Sequence, residues 1–274
     1  MERIFLYSIE DKGYSSLNMD SFHIISDGKL EVNYGRQNLS PSSFLSSTKL
    51  GVSCLLIKKN NKYTLVDTGP GIFNPDENKY QMEYPRQLLA ELNNLNLKPS
   101  EINTVILTHF HFDHCGGCIG KDGEPVFNNA NHYLQEKEVE YSKNNPEFSK
   151  YALPFFNSLN KLDLLKVVDG DISIEDLIDL ISSPGHTAGF QYVKFEINDQ
   201  NYIFPGDIIP TLWHINNNNV IGIDHDLEAL NNAKKKIIED CISEDAIMIF
   251  QHSLKPTMGK LISKGTRIGF QKIT

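Results

Sequence analysis

Short blocks of apolar positions alternate with polar ones along the chain, and most of the blocks have the length of a β-strand. The segment SCLLIKKNNKYTLVDTG contains two apolar runs, and the Asn-Asn pair between them is typical of a hairpin turn. Further apolar runs occur in TVILT, LIDLIS, GFQYVKFEI, NYIF and AIMIF. The pattern therefore predicts strands in both halves of the chain.

Helical periodicity occurs between these runs. In RQLLAELNNLNLKPSEI, four leucines fall on one helical face, at Leu88, Leu89, Leu92 and Leu95. Pro99 marks the end of this helix. YLQEKEVEYS predicts a second helix, and DLEALNNAKKKIIEDC predicts a third with Asp226 as its N-cap. The aromatic-rich stretch 144–170 is predicted to be irregular.

Metal-binding residue types lie just past the ends of four apolar strands, at His109, His186, Asp207 and His252. Loops that are held by a rigid sheet usually carry functional groups. For His252 taken alone, a hydrogen-bonded loop histidine is the alternative interpretation.

The motif THFHFDHCGG places three histidines and one aspartate within six positions, at His109, His111, Asp113 and His114. Imidazole and carboxylate groups are preferred ligands of divalent metals such as zinc. In H-x-H both histidines can face one side of a loop, while Asp113 and His114 turn the other way. One segment can therefore serve two metal ions, which distant strands would complete.

Composition and charge narrow the possible functions. A chain of 274 residues with 40% hydrophobic content can bury a substantial core, and no linker divides it, so we predict a single domain over 1–274. The net charge is −9, and no basic block is longer than KKK, which argues against nucleic acid as a partner. We find no signal sequence and no apolar run long enough for a membrane span, and therefore predict a cytoplasmic protein.

Four cysteines are expected to be reduced in such a protein, at Cys54, Cys115, Cys118 and Cys241. Cys115 and Cys118 form a C-x-x-C pair. A zinc ribbon would need a second pair, and a redox motif would normally open a helix. We therefore favour two small residues in a tight glycine loop.

The ordered motifs LVDTGPG, THFHFDHCGG, PGHTAG, FPGD and FQHS together resemble the metallo-β-lactamase fold superfamily of metallohydrolases. The match covers a core of about 50–255. The resemblance implies an α/β fold, a four-layer αβ/βα sandwich in which two mixed β-sheets carry helices on their outer faces. It also implies a dinuclear metal site along one edge.

Carried over to this chain, the resemblance assigns a role to each motif residue. His109, His111 and His186 would hold one metal, and Asp113, His114 and His252 the other. Asp207 would bridge both ions together with a hydroxide, and Asp67 would orient a ligand histidine. Without the resemblance, Asp67 could equally be a turn aspartate that stabilises Gly69.

Individual residues favour one branch of this superfamily. Flavodiiron proteins carry a carboxylate at the position of His111, so this histidine disfavours redox iron chemistry. Asp207 favours the lactonase, glyoxalase II, ribonuclease Z and organophosphate-hydrolase branches over exported β-lactamases. FPGDIIPTLWHI is most similar to quorum-quenching lactonases and methyl parathion hydrolase. Many lactonases carry tyrosine where this chain has Pro210, but a subgroup has Pro-Thr followed by histidine.

The same segment suggests a substrate pocket. Trp213 and His214 are candidate pocket residues, with an ordinary surface loop as the alternative. Phe155 and Phe156 are candidates for an apolar pocket wall, with plain core packing as the alternative.

These residues together predict a dinuclear hydrolase in which a metal-bridging hydroxide opens a lactone or cleaves an ester. Asp113 and Asp207 would be catalytic, and an acyl-homoserine-lactone-type substrate with an apolar portion is preferred. An aryl or organophosphate ester hydrolase, a glyoxalase II-like thioesterase and a metal-bearing sensor without efficient turnover are the alternatives. Zinc is the expected metal, although manganese, iron or cobalt would suit the same ligands. A homodimer is the expected assembly.

Overall fold

A computed structural model describes residues 19–33, 47–71, 80–83, 87–145, 148–174, 177–215, 224–255, 257–265 and 267–273. Within these ranges the strands are β1 (Ser21–Asn33), β2 (Ser47–Lys59), β3 (Lys62–Val66), β4 (Tyr80–Glu83), β5 (Thr104–Ile106), β6 (Asn131–Gln135), β7 (Leu165–Val168), β8 (Ile172–Ile174), β9 (Ile178–Ser182), β10 (Gln191–Ile197), β11 (Gln200–Phe204), β12 (Ile247–Ile249), β13 (Met258–Lys264) and β14 (Arg267–Lys272). The helices are α1 (Leu88–Asn94), α2 (Phe112–Cys115), α3 (Glu136–Asn144), α4 (Ser149–Lys161) and α5 (Leu227–Ser243).

The strands form two seven-stranded sheets. The first sheet has the order β4-β1-β2-β3-β5-β6-β7, and the second has the order β14-β13-β12-β11-β10-β9-β8. Both sheets are mixed. In the first, β3, β5, β6 and β7 pair in parallel beside an antiparallel β1-β2-β3 meander. In the second, β11 and β12 pair in parallel while their neighbours are antiparallel.

The alternation of side chains along β2 shows how the first sheet is layered. Cys54 and Leu56 belong to a core cluster that includes residues of α1 and α4. Leu55 and Ile57 point the opposite way, because successive side chains in a strand face opposite sides. They pack in a second cluster with residues of the other sheet, such as Phe204. The two sheets therefore lie face to face, with helices outside the first.

A third core cluster covers the other face of the second sheet. Ile203 of β11 and Met248 of β12 pack there with Leu230 and Ile237 of α5. The order of layers is thus helices, sheet, sheet, helix. This confirms the predicted four-layer sandwich of two mixed sheets.

Two local predictions from the sequence are also confirmed. Asn60 and Asn61 have φ values of 49° and 60° and join β2 to β3, as a tight hairpin turn requires. Asp226 caps α5, because its carboxylate accepts hydrogen bonds from the backbone N–H groups of Glu228 and Ala229.

Three local predictions are wrong in part. In α1, Leu88 and Leu92 are buried, but Leu89 is 51% exposed and Leu95 lies beyond the helix end. The predicted helix at 133–142 begins as β6, since this strand pairs with β5 and β7, and turns helical only at Glu136.

The stretch 144–170 was predicted to be irregular, yet it contains α4 and β7. The helix buries Ala152, Phe155, Phe156 and Leu159 against the first sheet at the spacing of one helical face. Pro154 lies inside this helix and obscures the pattern, because proline removes one helical hydrogen bond. None of the helices in the described part of the chain is long and apolar enough to span a membrane.

Candidate metal centre

The H-x-H-x-D-H motif lies where β5 ends, and the loop around Asp67 packs directly beneath it. The N–H of Thr68 donates to the carbonyl of His114 at 2.7 Å, and the N–H of Gly117 donates to Gly69 at 2.9 Å. A Cβ atom at Gly117 would lie 2.0 Å from the carbonyl oxygen of Thr68. Glycine is therefore required there for the two loops to approach each other.

The structure brings all seven predicted ligands together in two groups. The first group is His109, His111, His186 and Asp207, and the second group is Asp113, His114 and His252. Within each group the candidate ligand atoms lie within 4.8 Å of one another. The first group and the second group each combine residues of the motif with residues from loops of the second sheet.

The carboxylate of Asp207, a member of the first group, lies between the histidines of the two groups. Its Oδ2 is 3.2 Å from His186 Nε2 in the first group and 3.6 Å from His114 Nε2 in the second. Its Oδ1 is buried and lies 2.9 Å from His252 Nε2, although this contact does not have the geometry of a hydrogen bond. A buried carboxylate oxygen without a hydrogen-bond partner is suited to a cation.

Four of the five histidines use Nδ1 for a protein partner. These contacts are His109 to Thr108 Oγ1 (3.0 Å), His114 to Asp67 Oδ2 (2.8 Å), His186 to Asp224 Oδ1 (2.7 Å) and His252 to the carbonyl of Gly51 (2.7 Å). An imidazole that donates from Nδ1 keeps its lone pair on Nε2, and such outer partners fix the ring of a metal ligand. His111 differs, since its Nδ1 lies 2.8 Å from His109 Nε2 and 3.0 Å from His186 Nε2.

Asp67 does more than stabilise a turn. It has a φ of 57°, is fully buried and accepts hydrogen bonds from the N–H of Thr108 at 2.8 Å and from the Thr108 hydroxyl. Its Oδ2 also accepts a hydrogen bond from the Nδ1 of His114. The carboxylate thus ties the start of the motif to its last histidine.

Asp224 is a site residue that the sequence interpretation missed. Its side chain is 1% exposed and contacts His186, which is 38 positions earlier in the chain. The only signal was an aspartate two residues before the recognisable cap residue Asp226. A contact at such a separation leaves no local pattern.

Charge compensation dominates the electrostatics of the site. Burial and the neighbouring histidines hold the pKa of His109 well below its usual value. For His186, burial opposes the charged form, but Asp207 and Asp224 outweigh it and raise the pKa to about 9. Burial likewise opposes the ionised form of Asp207, but His252, His114 and His186 hold its pKa well below the usual range. Buried imidazoles and carboxylates at these distances fit the preferred ligand set of divalent zinc-like ions.

The four predicted pocket residues divide into two pairs. Trp213 is 63% exposed and His214 is partly buried, and their ring centroids lie 5.0 Å apart in a short 3₁₀ turn. Phe155 and Phe156 are instead buried and pack on Phe110 at centroid distances of 4.7 and 4.8 Å. Plain core packing, the alternative considered from the sequence, therefore describes these two side chains.

The cysteines lie outside both groups, and all four are free and buried. Burial raises the pKa of Cys115 well above its usual value and that of Cys118 to about 12. A thiol that keeps its proton is a poor metal ligand. These findings are consistent with packing roles for the C-x-x-C pair.

Comparison with known proteins gives consistent matches. A family model described as the metallo-beta-lactamase superfamily matches residues 47–240. An N-acyl homoserine lactonase from Bacillus sp is 24% identical over 258 residues, which cover 89% of this chain and 97% of the relative. A second lactonase of that name, from Bacillus cereus, is 24% identical over 234 residues, or 81% of this chain and 87% of the relative.

Two solved structures share the fold. A dizinc quorum-quenching lactonase in complex with a product has a TM-score of 0.77 at 20% identity, with coverage of 95% of this chain and 96% of that chain. A probable metal-dependent hydrolase from Staphylococcus aureus has a TM-score of 0.80 at 22% identity, with coverage of 94% and 99%.

Proposed function

The chain belongs to the metallo-beta-lactamase superfamily, and we propose that within these hydrolases it uses two divalent metal ions to open a lactone or cleave an ester. The observation that carries this proposal is the position of Asp207. Its two oxygens face different donor groups, at 3.2 Å from His186 and 2.9 Å from His252. A carboxylate shared between two ligand sets is the arrangement that a dinuclear centre needs.

Each group would hold one ion. His109, His111 and His186 would bind the first, and Asp113, His114 and His252 the second, with Asp207 between them. Bound there, the ions would lower the pKa of water and polarise a substrate carbonyl or phosphoryl oxygen.

The remaining chemistry rests on Asp113 and Asp207, the two aspartates of the donor groups. Asp207 enters the reaction ionised, because the imidazoles around it hold its pKa well below the usual range. It therefore starts without a proton of its own, and can pass to the leaving oxygen only a proton that it has first accepted from the attacking water. Asp113 Oδ2 lies 3.7 Å from His252 Nε2 and is the second carboxylate at the centre. We assign proton movement at the leaving oxygen to this pair.

An acyl-homoserine-lactone-type substrate is the preferred class within this proposal. Relatives named N-acyl homoserine lactonase align over most of both chains. The backbone N–H of His252 donates to the carbonyl of Pro210 at 2.9 Å, which ties the Trp213 and His214 turn to the metal centre. Burial, with a contribution from Lys234, lowers the pKa of His214 to about 4, so its imidazole is neutral at pH 7. A neutral imidazole beside an exposed indole suits an ester with an apolar acyl chain.

Metal analysis combined with a substrate panel tests the proposal. The panel contains acyl-homoserine lactones, an aryl ester, a paraoxon-type phosphotriester and a glutathione thioester. Two metal ions per chain with lactone opening would support it, and the same elemental analysis would distinguish zinc from manganese, iron or cobalt. Asp207→Ala should lower both metal content and turnover.

Other outcomes favour specific alternatives. Faster hydrolysis of the phosphotriester or the thioester would favour an organophosphate-hydrolase-like or a glyoxalase II-like enzyme. Two bound metals without turnover would favour a sensor. Natively purified protein without metal would contradict the proposal, as would an Asp207→Ala variant with normal metal content and turnover.

Three predictions from the sequence complete the proposal. We propose that residues 1–274 form one hydrolase domain, since the two sheets share a continuous core. A cytoplasmic location and assembly as a homodimer stay predictions, and size-exclusion chromatography with light scattering would measure the second.

A further inference from the structure

Glu138 is a buried carboxylate that joins two loops of the metal centre without belonging to either donor group. It is the third residue of α3 and is fully buried. Its Oε1 accepts a hydrogen bond from the N–H of Phe110 at 2.9 Å. Its Oε2 accepts one from the N–H of Gly189 at 3.0 Å.

The two donors belong to the loops that carry the first group. Phe110 lies between His109 and His111 at the end of β5, in the first sheet. Gly189 lies three residues after His186, in the loop between β9 and β10 of the second sheet. One side chain thus connects the backbone on both sides of the first group.

The position of α3 supports this connection. A Cβ atom at Gly189 would lie 2.0 Å from the backbone nitrogen of Glu138, so the helix start and the His186 loop are in direct contact. Glycine is needed for this close approach.

The chemistry of the contact requires a carboxylate. Two N–H donors face one side chain from different loops, and each needs an acceptor oxygen. Glutamate offers an acceptor on both oxygens, whereas glutamine offers one acceptor and turns a donor toward the second N–H. A buried N–H without an acceptor is costly, and the loop that carries it would move.

We propose that Glu138 is a positioning residue that sets the distance between the His109–His111 loop and the His186 loop, and thereby the metal affinity of the first group. It acts through the backbone and does not touch the substrate. The inference rests on the proposed function, because it assumes that the first group binds a metal ion. Metal-binding geometries tolerate shifts of only about 0.5 Å, so a small movement of either loop is sufficient.

The second group has different supports, which makes the inference selective. His114 is held by Asp67 and His252 by the carbonyl of Gly51. Glu138 contacts neither of these histidines through the hydrogen bonds described above. Loss of its second acceptor should therefore weaken one metal site and spare the other.

Metal titration of the wild type and its variants tests this selectivity. The metal-free wild type and the Glu138→Gln, Asp67→Asn and Glu140→Gln variants are titrated with Co²⁺ against a competing chelator, while the visible spectrum is recorded. Glu140→Gln is the matched control, since Glu140 is an exposed residue of the same helix. Melting temperatures of the metal-free proteins report on the fold.

Glu138→Gln should weaken the binding of one equivalent of Co²⁺ by about tenfold to a hundredfold, as is typical for the loss of a residue that supports a metal ligand. The affinity for the other equivalent should not change. Asp67→Asn should mainly weaken the binding of the equivalent that Glu138→Gln leaves unchanged, because Asp67 holds His114. A smaller loss at the first group is expected, because Asp67 also holds the Thr108 hydroxyl that contacts His109. Glu140→Gln should match the wild type. Glu138→Asp keeps both acceptors on a shorter side chain and should give an intermediate loss, and it replaces Glu138→Gln if that variant does not fold.

The possible failures are distinguishable. A wild type that binds no metal would overturn the proposed function and this inference together. A wild type with two equivalents, combined with wild-type binding by Glu138→Gln or Glu138→Asp, would overturn the inference alone. Equal weakening of both equivalents would show a general structural role and would also overturn it.

Discussion

The carboxylate of Asp224 determines which ring nitrogen of His186 faces the metal centre. Its Oδ1 lies 2.7 Å from His186 Nδ1, and its side chain is 1% exposed. An ionised carboxylate only accepts hydrogen bonds, so Nδ1 must carry a proton and Nε2 is the nitrogen that is left to bind a metal ion. In Asp224→Asn the amide can turn its NH₂ group toward Nδ1, which selects the opposite tautomer. In that tautomer Nε2 is protonated and cannot bind a metal.

The size of the effect follows from the loss of this one contact. A hydrogen bond to a charged group contributes about 1.5–3 kcal/mol, and removal of such an outer partner typically weakens metal binding by about tenfold to a hundredfold. We therefore expect Asp224→Asn to weaken the binding of one metal equivalent by about tenfold to a hundredfold. Turnover should fall at limiting metal and recover in part at excess metal. The reason is that Asp224→Asn disfavours the metal-binding tautomer of His186, with its proton on Nδ1, but does not exclude it.

Metal affinity by chelator competition measures the loss, and Asp226→Asn is the matched control. Asp226 lies two residues away, is exposed and caps α5. Asparagine caps a helix as well as aspartate does, so this change removes the same charge without loss of the cap. Wild-type affinity in Asp224→Asn would refute the reasoning. An equal loss in both variants would show that net charge, and not the tautomer of His186, causes the effect.

Three further predictions concern stability. Gly69→Ala should destabilise the fold by about 1–3 kcal/mol, because Gly69 has a φ of 66° and a Cβ atom there would lie 2.1 Å from Asp27 Oδ2. Gly123→Ala is the control, because Gly123 has a φ of 80° but open space around it, and it should cost about 1 kcal/mol. Chemical denaturation measures both losses. Burial lowers the pKa of His132 from 6.5 to about 4, so the free energy of unfolding should fall by about 3 kcal/mol as the pH drops from 6.5 to 4. Urea unfolding at pH 7 and pH 4.5 should show a smaller fall for His132→Asn, and an equal fall would contradict this assignment. Metal removal by a chelator should lower the melting temperature, because metal at a thousand times its Kd stabilises a folded site by about 4 kcal/mol. An unchanged melting temperature would argue against metal binding to the folded state.

The parts of the fold that were predictable have local causes. The hairpin at Asn60 and Asn61 follows from residues that tolerate positive φ, and the start of α5 follows from the side chain of Asp226. The end of α1 and the start of β6 were less predictable. Leu89 has the spacing of a buried residue but is exposed, and Tyr133 lies in a strand because two neighbouring strands pair with it. These outcomes depend on tertiary contacts that the local pattern does not contain.

The candidate site shows the same division. The seven donors could be predicted because four of them lie within six positions of one motif and the others follow apolar strands. Among the residues that support them, Asp67 was predicted from the family resemblance, and the others could not be predicted. Asp224, Glu138 and Gly51 contribute a carboxylate, a carboxylate and a backbone carbonyl, and they lie 38, 28 and 201 positions from the residues they bind. A single aspartate, glutamate or glycine at such distances is indistinguishable from a surface or turn residue until the sheets are packed.

The two donor groups make metal binding a property of the packed sheets and not of the motif alone. His109 and His111 follow the first sheet, but the first group is complete only with His186 and Asp207 from the second. The second group likewise needs His252, whose backbone carbonyl accepts the N–H of Gly51 in β2 at 3.0 Å. An unfolded chain cannot present either group, so the free energy of metal binding contributes to the stability of the sheet interface. A substitution that loosens the core between the sheets should therefore weaken metal binding even when every ligand is retained.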